Sequence, residues 1–311
     1  MTGSRLLICV VGPTGIGKTN LAIQLAKAFS TEVISSDSRQ FYREMRIGTA
    51  VPSPEELAMV PHHFIHSHSI EENYSVGDFE RDVIKLIHEK FYPENAEAAF
   101  KKLILAGGSG LYTDAVVKGL DHLPTSDPAF RQKLSEKLEN EGISSLQTIL
   151  KKVDPEYYAV ADIQNPHRVI RALEVYFLSG KPFSSYRNNF VQERKFKHCY
   201  IGLTAEREII YDRINKRVDQ MMASGLLEEA EKLYPFKHYS ALQTVGYREL
   251  FEYFDGKWSL DFAVSEIKKN TRRFAKRQLT WYRKNPEVNW FDYQTDAKEI
   301  ITFILNRYSG I

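Results

Sequence analysis

The residues best suited to chemistry form a glycine-rich loop near the N-terminus that ends in a lysine and a threonine. The loop comprises Gly12, Pro13, Thr14, Gly15, Ile16, Gly17, Lys18 and Thr19. It follows an apolar run and precedes a helical pattern, which is the context that a phosphate-binding loop requires. Its glycines let backbone N–H groups turn inward, Lys18 supplies a positive charge, and the Thr19 hydroxyl can hold Mg²⁺. We therefore expect a bound diphosphate, whether or not it belongs to a nucleotide such as ATP.

A second candidate is Asp37, which ends the predicted strand 32–36. A carboxylate that faces a bound phosphate can bind Mg²⁺ or accept a proton from a nucleophile; the alternative is a cap on a turn. A further predicted strand, 102–106, runs into glycines and a serine, whereas a nucleoside triphosphatase usually has an aspartate there. This difference favours an enzyme that holds a phosphate-bearing substrate over a motor or switch ATPase.

Near the C-terminus the sequence predicts a long helix, 259–283, with one basic side. At about 100° per residue, one stripe is predicted to pack against the protein; it comprises Ile267, Thr271, Phe274, Gln278 and Trp281. The opposite half carries eight cations, namely Lys268, Lys269, Arg272, Arg273, Lys276, Arg277, Arg283 and Lys284. A one-signed face of this kind fits a nucleic-acid backbone, and an ordinary solvated face is the alternative.

Two weaker features also involve charged or titratable residues. Arg213 and Arg217 lie one helical turn apart and could bind a diphosphate as bidentate donors, although pairing with Glu206 or Glu208 is an alternative. The histidine-rich segment 61–68 lacks the spacing and the acids of a metal site, so we interpret it as structural.

The order of predicted elements indicates an α/β fold, a P-loop NTPase-like parallel sheet flanked by helices, with an α-helical insertion domain. Residues 1–117 and 198–311 form the predicted core, and residues 118–197 form the insertion. Within the insertion, Asp127, Asp154 and Asn165 each precede a proline and are predicted to begin helices. The segments 14–19, 37–40 and 107–110 all follow strands, so we expect them to share one cleft.

The bulk composition is ordinary for a soluble globular protein. The chain has 311 residues, of which 43% are hydrophobic and 26% charged, and its formal net charge is +2. Binding to nucleic acid would therefore depend on local basic patches. Cys9 and Cys199 fall in apolar runs that indicate buried thiols. No segment has the pattern of a signal peptide or a membrane span, so we expect a cytoplasmic enzyme without membrane contact. As a separate expectation, the protein is a monomer.

Taken together, these motifs resemble those of the bacterial tRNA dimethylallyltransferases. Besides the loop, the resemblance rests on an ordered set of segments, namely residues 37–40, 47–50, 107–112, 123–128, 165–175, 245–248 and 275–281. It extends from the loop nearly to the C-terminus.

The resemblance implies transfer of a dimethylallyl group from dimethylallyl diphosphate to N6 of the adenosine just 3′ of the anticodon in tRNA, with Mg²⁺ as cofactor. Asp37 matches the family's general base, and Lys18, Thr19 and Arg217 match diphosphate-binding positions. The positions that match contacts to the tRNA anticodon loop are Asp37, Ser38, Arg39, Gln40, Ser109, Arg131, His167, Arg168, Val169, Ile170, Arg171, Gln243, Thr244, Val245, Gly246, Tyr247 and Arg248.

The chain departs from the family's pattern only mildly. Ile16 replaces a small residue, and Ser109 stands where threonine is frequent but keeps a hydroxyl. The segment 91–100 is longer than usual and is expected to be a surface insertion. The chain has no cysteine pair for the zinc finger of eukaryotic relatives.

Two other functions remain open at this point. A small-molecule kinase would use the same loop and Asp37 but would leave the basic helix unexplained. A nucleic-acid-binding module without catalysis would leave the loop and Asp37 unexplained.

Overall fold

A six-stranded, wholly parallel sheet organises most of the chain. The structure, a computed structural model, describes residues 5–95, 99–121, 123–187 and 192–309. The strands are β1 (Leu6–Val11), β2 (Val33–Ser35), β3 (His62–His63), β4 (Lys102–Ala106), β5 (Lys197–Thr204) and β6 (Val288–Asp292). Their order across the sheet is β3-β2-β4-β1-β5-β6. The four inner strands were predicted, from the apolar runs 6–11, 32–36, 102–106 and 198–203. The edge strands β3 and β6, which have little apolar alternation, were not predicted.

Both faces of the sheet are buried, as the crossover connections of a parallel sheet require. Along β1, Leu6, Ile8 and Val10 pack into one core, whereas Leu7, Cys9 and Val11 pack into another. Cys9 and Cys199 are buried free thiols, as predicted, and burial raises the pKa of both.

Helices cover the sheet and extend beyond it. They are α1 (Lys18–Ala28), α2 (Pro54–Met59), α3 (Val76–Phe91), α4 (Gly110–Lys118), α5 (Pro128–Glu141), α6 (Ile143–Val153), α7 (Pro155–Val160), α8 (Pro166–Ser179), α9 (Arg207–Ala223), α10 (Leu226–Leu233), α11 (Tyr247–Phe254), α12 (Leu260–Arg283) and α13 (Ala297–Arg307). The sequence predicted nine of these helices, at residues 20–29, 78–89, 129–140, 144–152, 166–179, 207–224, 226–233, 247–254 and 259–283. It indicated only the start of α7, at Asp154, and did not predict α2, α4 or α13. It missed α4 because this helix begins directly at a glycine-rich loop.

The chain divides into two units. One comprises Met1–Val117 and Arg194–Ile311, and the other comprises Lys118–Glu193. The insertion predicted from the sequence ended at residue 197, four residues too late. Arg194 pairs with Glu80 at 2.5 Å, and Lys197 begins β5, so this stretch belongs to the sheet-containing unit.

The second unit contains α5–α8, and its described residues form no strand. Asp127, Asp154 and Asn165 cap the helices that follow them by accepting hydrogen bonds from first-turn backbone N–H groups. The predicted helix starts are therefore confirmed. The core of this unit includes Leu146 and Leu150.

Two other predictions concern the surface. The predicted insertion 91–100 includes residues 96–98, which lie outside the described part of the chain, and Phe100 packs against one sheet core. No helix within the described ranges is both long enough and apolar enough to span a bilayer.

Candidate active site

The phosphate-binding loop forms one wall of a polar cavity of ≈ 490 Å³ at the carboxyl ends of the strands. Loop residues Thr14, Gly15, Gly17, Lys18 and Thr19 line the cavity. Gly12, Pro13 and Ile16 do not, since they are buried and Ile16 packs into the sheet core. Gly12 has a φ of 143°, and a Cβ there would approach the Leu203 carbonyl oxygen to 2.6 Å. Only glycine fits at this bend.

Four cationic side chains contribute to this cavity. Lys18 comes from the loop, and Arg213, Lys216 and Arg217 come from α9. The Arg213 Nε donates to the Gly15 carbonyl at 2.8 Å. Arg213 and Arg217 therefore line the same cavity as the loop, and their binding of a diphosphate stays a prediction. Such a cluster is suited to an anion with several charges.

Lys18 and Arg217 are held in a partly desolvated environment. The Lys18 Nζ donates to the carbonyls of Gly12 and Pro13, at 3.0 and 2.8 Å. Burial, opposed by Asp37 and assisted by Arg217, lowers the pKa of Lys18 to about 8. Burial likewise lowers the pKa of Arg217, while Asp37 opposes this effect. An arriving anion would offset these costs, because it favours the charged form of each group.

Asp37 lies where the polar cavity meets a second cavity. It lines both of them, and its Oδ1 accepts a hydrogen bond from the Arg39 N–H at 3.1 Å. This contact is the turn-capping contact that the sequence analysis raised as an alternative. It does not prevent a catalytic role, because the carboxylate still borders the two cavities.

The second cavity, ≈ 360 Å³ in volume, is mainly apolar. The side chains of Ile214, Val218, Met221, Leu226 and Ile267 line it. Segments 14–19, 37–40 and 107–110 all border one or both cavities, so the predicted common cleft is confirmed. The arrangement places the Asp37 carboxylate between a cavity lined by cationic side chains and an apolar cavity.

Several positions predicted to bind tRNA border the apolar cavity. They are Asp37, Ser38, Arg39, Ser109, Thr244, Val245 and Gly246. Gln40 lines the polar cavity instead, and its Nε2 donates to the Ala50 carbonyl at 3.1 Å. Gln243 and Arg248 flank the 244–246 segment; the Gln243 amide donates to the Lys237 carbonyl.

Tyr247 requires a correction. It is fully buried, and its hydroxyl donates to Glu229 at 2.6 Å. The Glu229 carboxylate also accepts hydrogen bonds from the backbone N–H groups of Arg46, Ile47 and Gly48. Tyr247 therefore helps to hold the 46–48 loop beside the cavities and does not present its side chain to a ligand. Sequence reasoning missed Glu229 because nothing local distinguishes it from a solvated acid.

In the second unit, the predicted tRNA-binding residues differ in exposure. Val169 and Ile170 are buried in the helical core, so their side chains are not available for contact. His167 and Arg168 lie on the accessible side of α8. Arg131 and Arg171 both pair with the buried Glu174 carboxylate, at 3.1 and 2.7 Å.

The Glu174 cluster has an electrostatic consequence within the second unit. Hydrogen bonds from Ser126 and Arg171, with the charge of Arg131, outweigh burial and lower the pKa of Glu174. The two arginines therefore stabilise the unit, and their side chains remain partly exposed.

Helix α12 packs through only part of the predicted stripe: Ile267 and Gln278 are buried, as predicted. Phe274 and Trp281 are 38% and 42% exposed and line the apolar cavity, whereas Ala275 and Tyr282 are buried. The packed face therefore keeps Ile267 and Gln278 but includes Ala275 and Tyr282 in place of Phe274 and Trp281. The Trp281 indole N–H donates to Asp114 at 3.0 Å, which fixes the ring at the cavity.

The basic side of α12 is less uniform than its sequence indicates. Lys268 pairs with Asp219 at 2.5 Å, and Lys269 pairs with Glu266 at 2.7 Å. Arg273, Lys276 and Arg277 are exposed. Arg273, Lys276 and Arg277 are therefore better placed to bind phosphates than Lys268 and Lys269, which already have acidic partners.

We expect the double substitution Arg273→Gln with Lys276→Gln to weaken RNA binding and its salt dependence. If each cation contacts a phosphate, the slope of log affinity against log salt flattens by about 0.7 to 0.9 per contact. Fluorescence anisotropy with labelled anticodon stem-loop RNA over a salt series measures this. The matched control is Lys268→Gln with Lys269→Gln, which should change the slope less because both lysines already have acidic partners. Equal slopes in all three proteins would assign this face to ordinary solvation.

The histidine-rich segment has structural contacts. His63 lies in β3 and pairs with Glu32 at 2.7 Å, and His62 bonds the Val60 carbonyl at 2.8 Å. Across the described ranges, no group of three or more His, Cys, Asp or Glu side chains could hold a metal ion.

Comparison with known proteins agrees with this geometry. A family model described as IPP transferase matches residues 40–285. The tRNA dimethylallyltransferase of Christiangramia forsetii is 56% identical, with 97% of this chain and 98% of the relative covered. That of Flavobacterium johnsoniae is 54% identical, with 97% of each covered.

Solved structures give the same result. The full-length tRNA isopentenylpyrophosphate transferase of Bacillus halodurans matches with a TM-score of 0.70 and 40% identity, covering 98% of this chain and 96% of that one. A eukaryotic dimethylallyltransferase solved acting on tRNA matches with a TM-score of 0.79 and 26% identity, covering 98% and 80%. The P-loop fold, the two cavities joined at Asp37 and these matches lead to one conclusion: the chain belongs to the tRNA dimethylallyltransferase (IPP transferase) family.

Proposed function

We propose that this chain transfers the dimethylallyl group of dimethylallyl diphosphate to N6 of the adenosine immediately 3′ of the anticodon in tRNA. The observation that carries the proposal is the position of Asp37, which borders both the cationic cavity and the apolar cavity. A prenyl diphosphate has the same division, with a charged head and a C5 hydrocarbon tail. Its allylic carbon would lie near the junction.

The proposed reaction breaks one bond and forms another. The allylic C–O bond breaks, and its electron pair leaves with the diphosphate. The N6 lone pair forms the new C–N bond, and the N6 proton passes to the Asp37 carboxylate. Lys18, Arg217 and loop N–H groups favour departure of diphosphate by stabilising its developing charge. Asp37 acts as a general base for an amine whose lone pair is delocalised into the adenine ring.

The donor set of the cavity fits Mg²⁺. The Thr19 hydroxyl and the Asp37 carboxylate line the same cavity and supply the oxygen ligands that this ion prefers. With the remaining ligands drawn from diphosphate oxygens and water, Thr19 would hold the ion at the loop. When bound, Mg²⁺ would neutralise part of the charge on the diphosphate.

The adenine must leave the stacked anticodon loop to reach Asp37, at a cost of a few kcal/mol. Exposed Phe274 and Trp281 beside Arg277 offer stacking and cationic contacts at the apolar cavity. In the second unit, His167 and Arg168 are candidates for further contacts to the RNA. Both groups would help to offset the cost of base flipping.

The small-molecule kinase alternative is not favoured by the family matches, and a binding module without catalysis leaves Asp37 and the cationic cavity without a role. Purified protein with Mg²⁺, dimethylallyl diphosphate and unmodified tRNA tests the proposal. We expect prenyl transfer without ATP, detected by mass spectrometry of tRNA nucleosides, and loss of the prenylated adenosine in a deletion strain. An absolute requirement for ATP, or unchanged nucleosides in the deletion strain, would contradict the proposal.

A further inference from the structure

Gln278 forms hydrogen bonds with two loops of the site, the phosphate-binding loop and the loop between β4 and α4. It lies in α12 and is only 6% exposed. Its Oε1 accepts a hydrogen bond from the Thr14 backbone N–H at 2.8 Å, and its Nε2 donates to the Gly108 carbonyl at 2.9 Å. A carboxamide supplies an acceptor oxygen and a donor NH₂ group in a fixed arrangement. Both of its polar ends are therefore used, one on each loop.

The fit at Gly108 is close. A Cβ built on Gly108 would lie 2.1 Å from the Gln278 Nε2. No side chain at position 108 can be accommodated without displacing the amide. The Gln278 amide can therefore occupy this position only because residue 108 is a glycine.

The contact extends to Asp37 through the next residue of the loop. Ser109 follows Gly108, and its hydroxyl accepts a hydrogen bond from the Ser38 backbone N–H at 3.2 Å. Ser38 follows Asp37 directly. Gln278 thus connects α12 with the phosphate-binding loop on one side and with the segment carrying Asp37 on the other. In the proposed function, the phosphate-binding loop binds the diphosphate and the segment with Asp37 accepts the proton.

We propose that Gln278 is a positioning residue that holds the phosphate-binding loop and the Gly108–Ser109 segment in register, so that the bound diphosphate and the Asp37 carboxylate face the same reaction centre. The part of this inference that concerns Asp37 rests on the proposed function, because the position of the Asp37 carboxylate relative to the diphosphate matters only if Asp37 takes part in transfer. The other part, the register of the diphosphate site, can be measured without transfer.

Gln278→Glu is the informative variant because it changes one hydrogen-bond donor and almost no volume. An ionised carboxylate can still accept from the Thr14 N–H, but its other oxygen would face the Gly108 carbonyl without a proton between them. A protonated carboxyl restores the donor. Burial raises the pKa of a carboxyl group, whereas the Lys18 ammonium beside Gly108 lowers it, so we expect restoration only at acidic pH.

Affinity for inorganic diphosphate with Mg²⁺, measured by calorimetry at about pH 8 and about pH 5.5, tests this expectation. At the higher pH, Gln278→Glu loses the hydrogen bond to the Gly108 carbonyl and places a carboxylate oxygen against that carbonyl oxygen. Its affinity for diphosphate should therefore fall by about tenfold or more, and much of this affinity should return at the lower pH. The single-turnover transfer rate should follow the same pattern. The charge of Lys18 in the same cavity also changes with pH, so each value is expressed as a ratio to the control at the same pH.

Gln24→Glu controls for the change in net charge, because Gln24 is exposed on α1; Gln278→Met controls for a negative charge beside the diphosphate site, because it adds none. Gln278→Met is the second variant, since it fills the space but offers neither donor nor acceptor; it should be impaired at both pH values. Thermal denaturation at each pH identifies any loss that comes from unfolding alone.

The possible results separate the two proposals. Diphosphate binding by Gln278→Glu equal to the control at both pH values overturns the positioning role, as does an equal deficit at both pH values. If Gln278→Glu does not fold at the higher pH, folded Gln278→Met with control-like affinity overturns it. If the unmodified protein binds diphosphate but transfers no prenyl group, the proposed function fails while the diphosphate register is still decided by the binding ratio. Absence of diphosphate binding by the unmodified protein overturns the inference itself.

Discussion

Replacing Asp37 by asparagine lowers the single-turnover rate of prenyl transfer by a factor on the order of 10² to 10⁴, the usual cost of removing a general base. The variant keeps the side-chain oxygen that accepts from Arg39, so the turn that presents residue 37 is retained. It loses the group that takes the N6 proton. Rapid-quench assays with saturating donor and labelled tRNA measure the rate.

The control for this experiment is Asp261→Asn, which removes an exposed acid from the first turn of α12. Its rate should match that of the unmodified protein. The affinity of Asp37→Asn for tRNA should change little, because the substitution removes no cation. A transfer rate close to normal would exclude Asp37 as the base and leave its position between the cavities without a catalytic explanation.

Replacing Lys18 by methionine weakens diphosphate binding by about 10- to 100-fold, the range expected for losing a charged hydrogen-bond donor. Methionine has a chain of similar length but no charge. Because burial lowers the pKa of Lys18 to about 8, the unmodified protein loses the charged form of this group as pH rises through that value. The advantage of the unmodified protein over Lys18→Met should therefore shrink above pH 8.

Calorimetry with diphosphate and Mg²⁺ between about pH 7 and about pH 9.5 follows this advantage. Comparing the two proteins at each pH cancels the ionisation of the diphosphate itself. Lys27→Met, an exposed position in the last turn of α1, is the control. An advantage that stays constant across this range would mean that Lys18 is not the titrating contact.

The same pKa shift has a consequence for stability. The unfolded chain binds more protons at Lys18 than the folded chain between about pH 8 and the ordinary lysine value of about 10.4. The contribution of Lys18 to the free energy of unfolding therefore becomes less unfavourable as pH rises across this window. Lys18→Met should lack that component.

The sequence by itself determined the features that depend on neighbouring residues. The order of strand, glycine loop, Lys18 and helix was enough to predict the phosphate-binding loop, because the conformation of such a loop depends on residues that are adjacent in the sequence. Strand 102–106 and helices 166–179, 226–233 and 247–254 have the predicted bounds. Asp127, Asp154 and Asn165 begin their helices because a cap needs only the N–H groups of the next turn. Asp37 could be placed at a strand end for the same local reason.

The tertiary structure alone decided which side chains face the site. Phe274 and Trp281 share the helix with buried Ala275 and Tyr282, and only the packing of α12 determines which pair is covered. Val169, Ile170 and Tyr247 are buried because of the elements packed against them. Their match to tRNA-contacting positions of the family could not reveal this burial. Gln278 reaches Thr14 across 264 positions of sequence, and Glu229 reaches Ile47 across 182. Such contacts have no local pattern, because the distance between their partners is fixed only when the sheet and its helices have assembled.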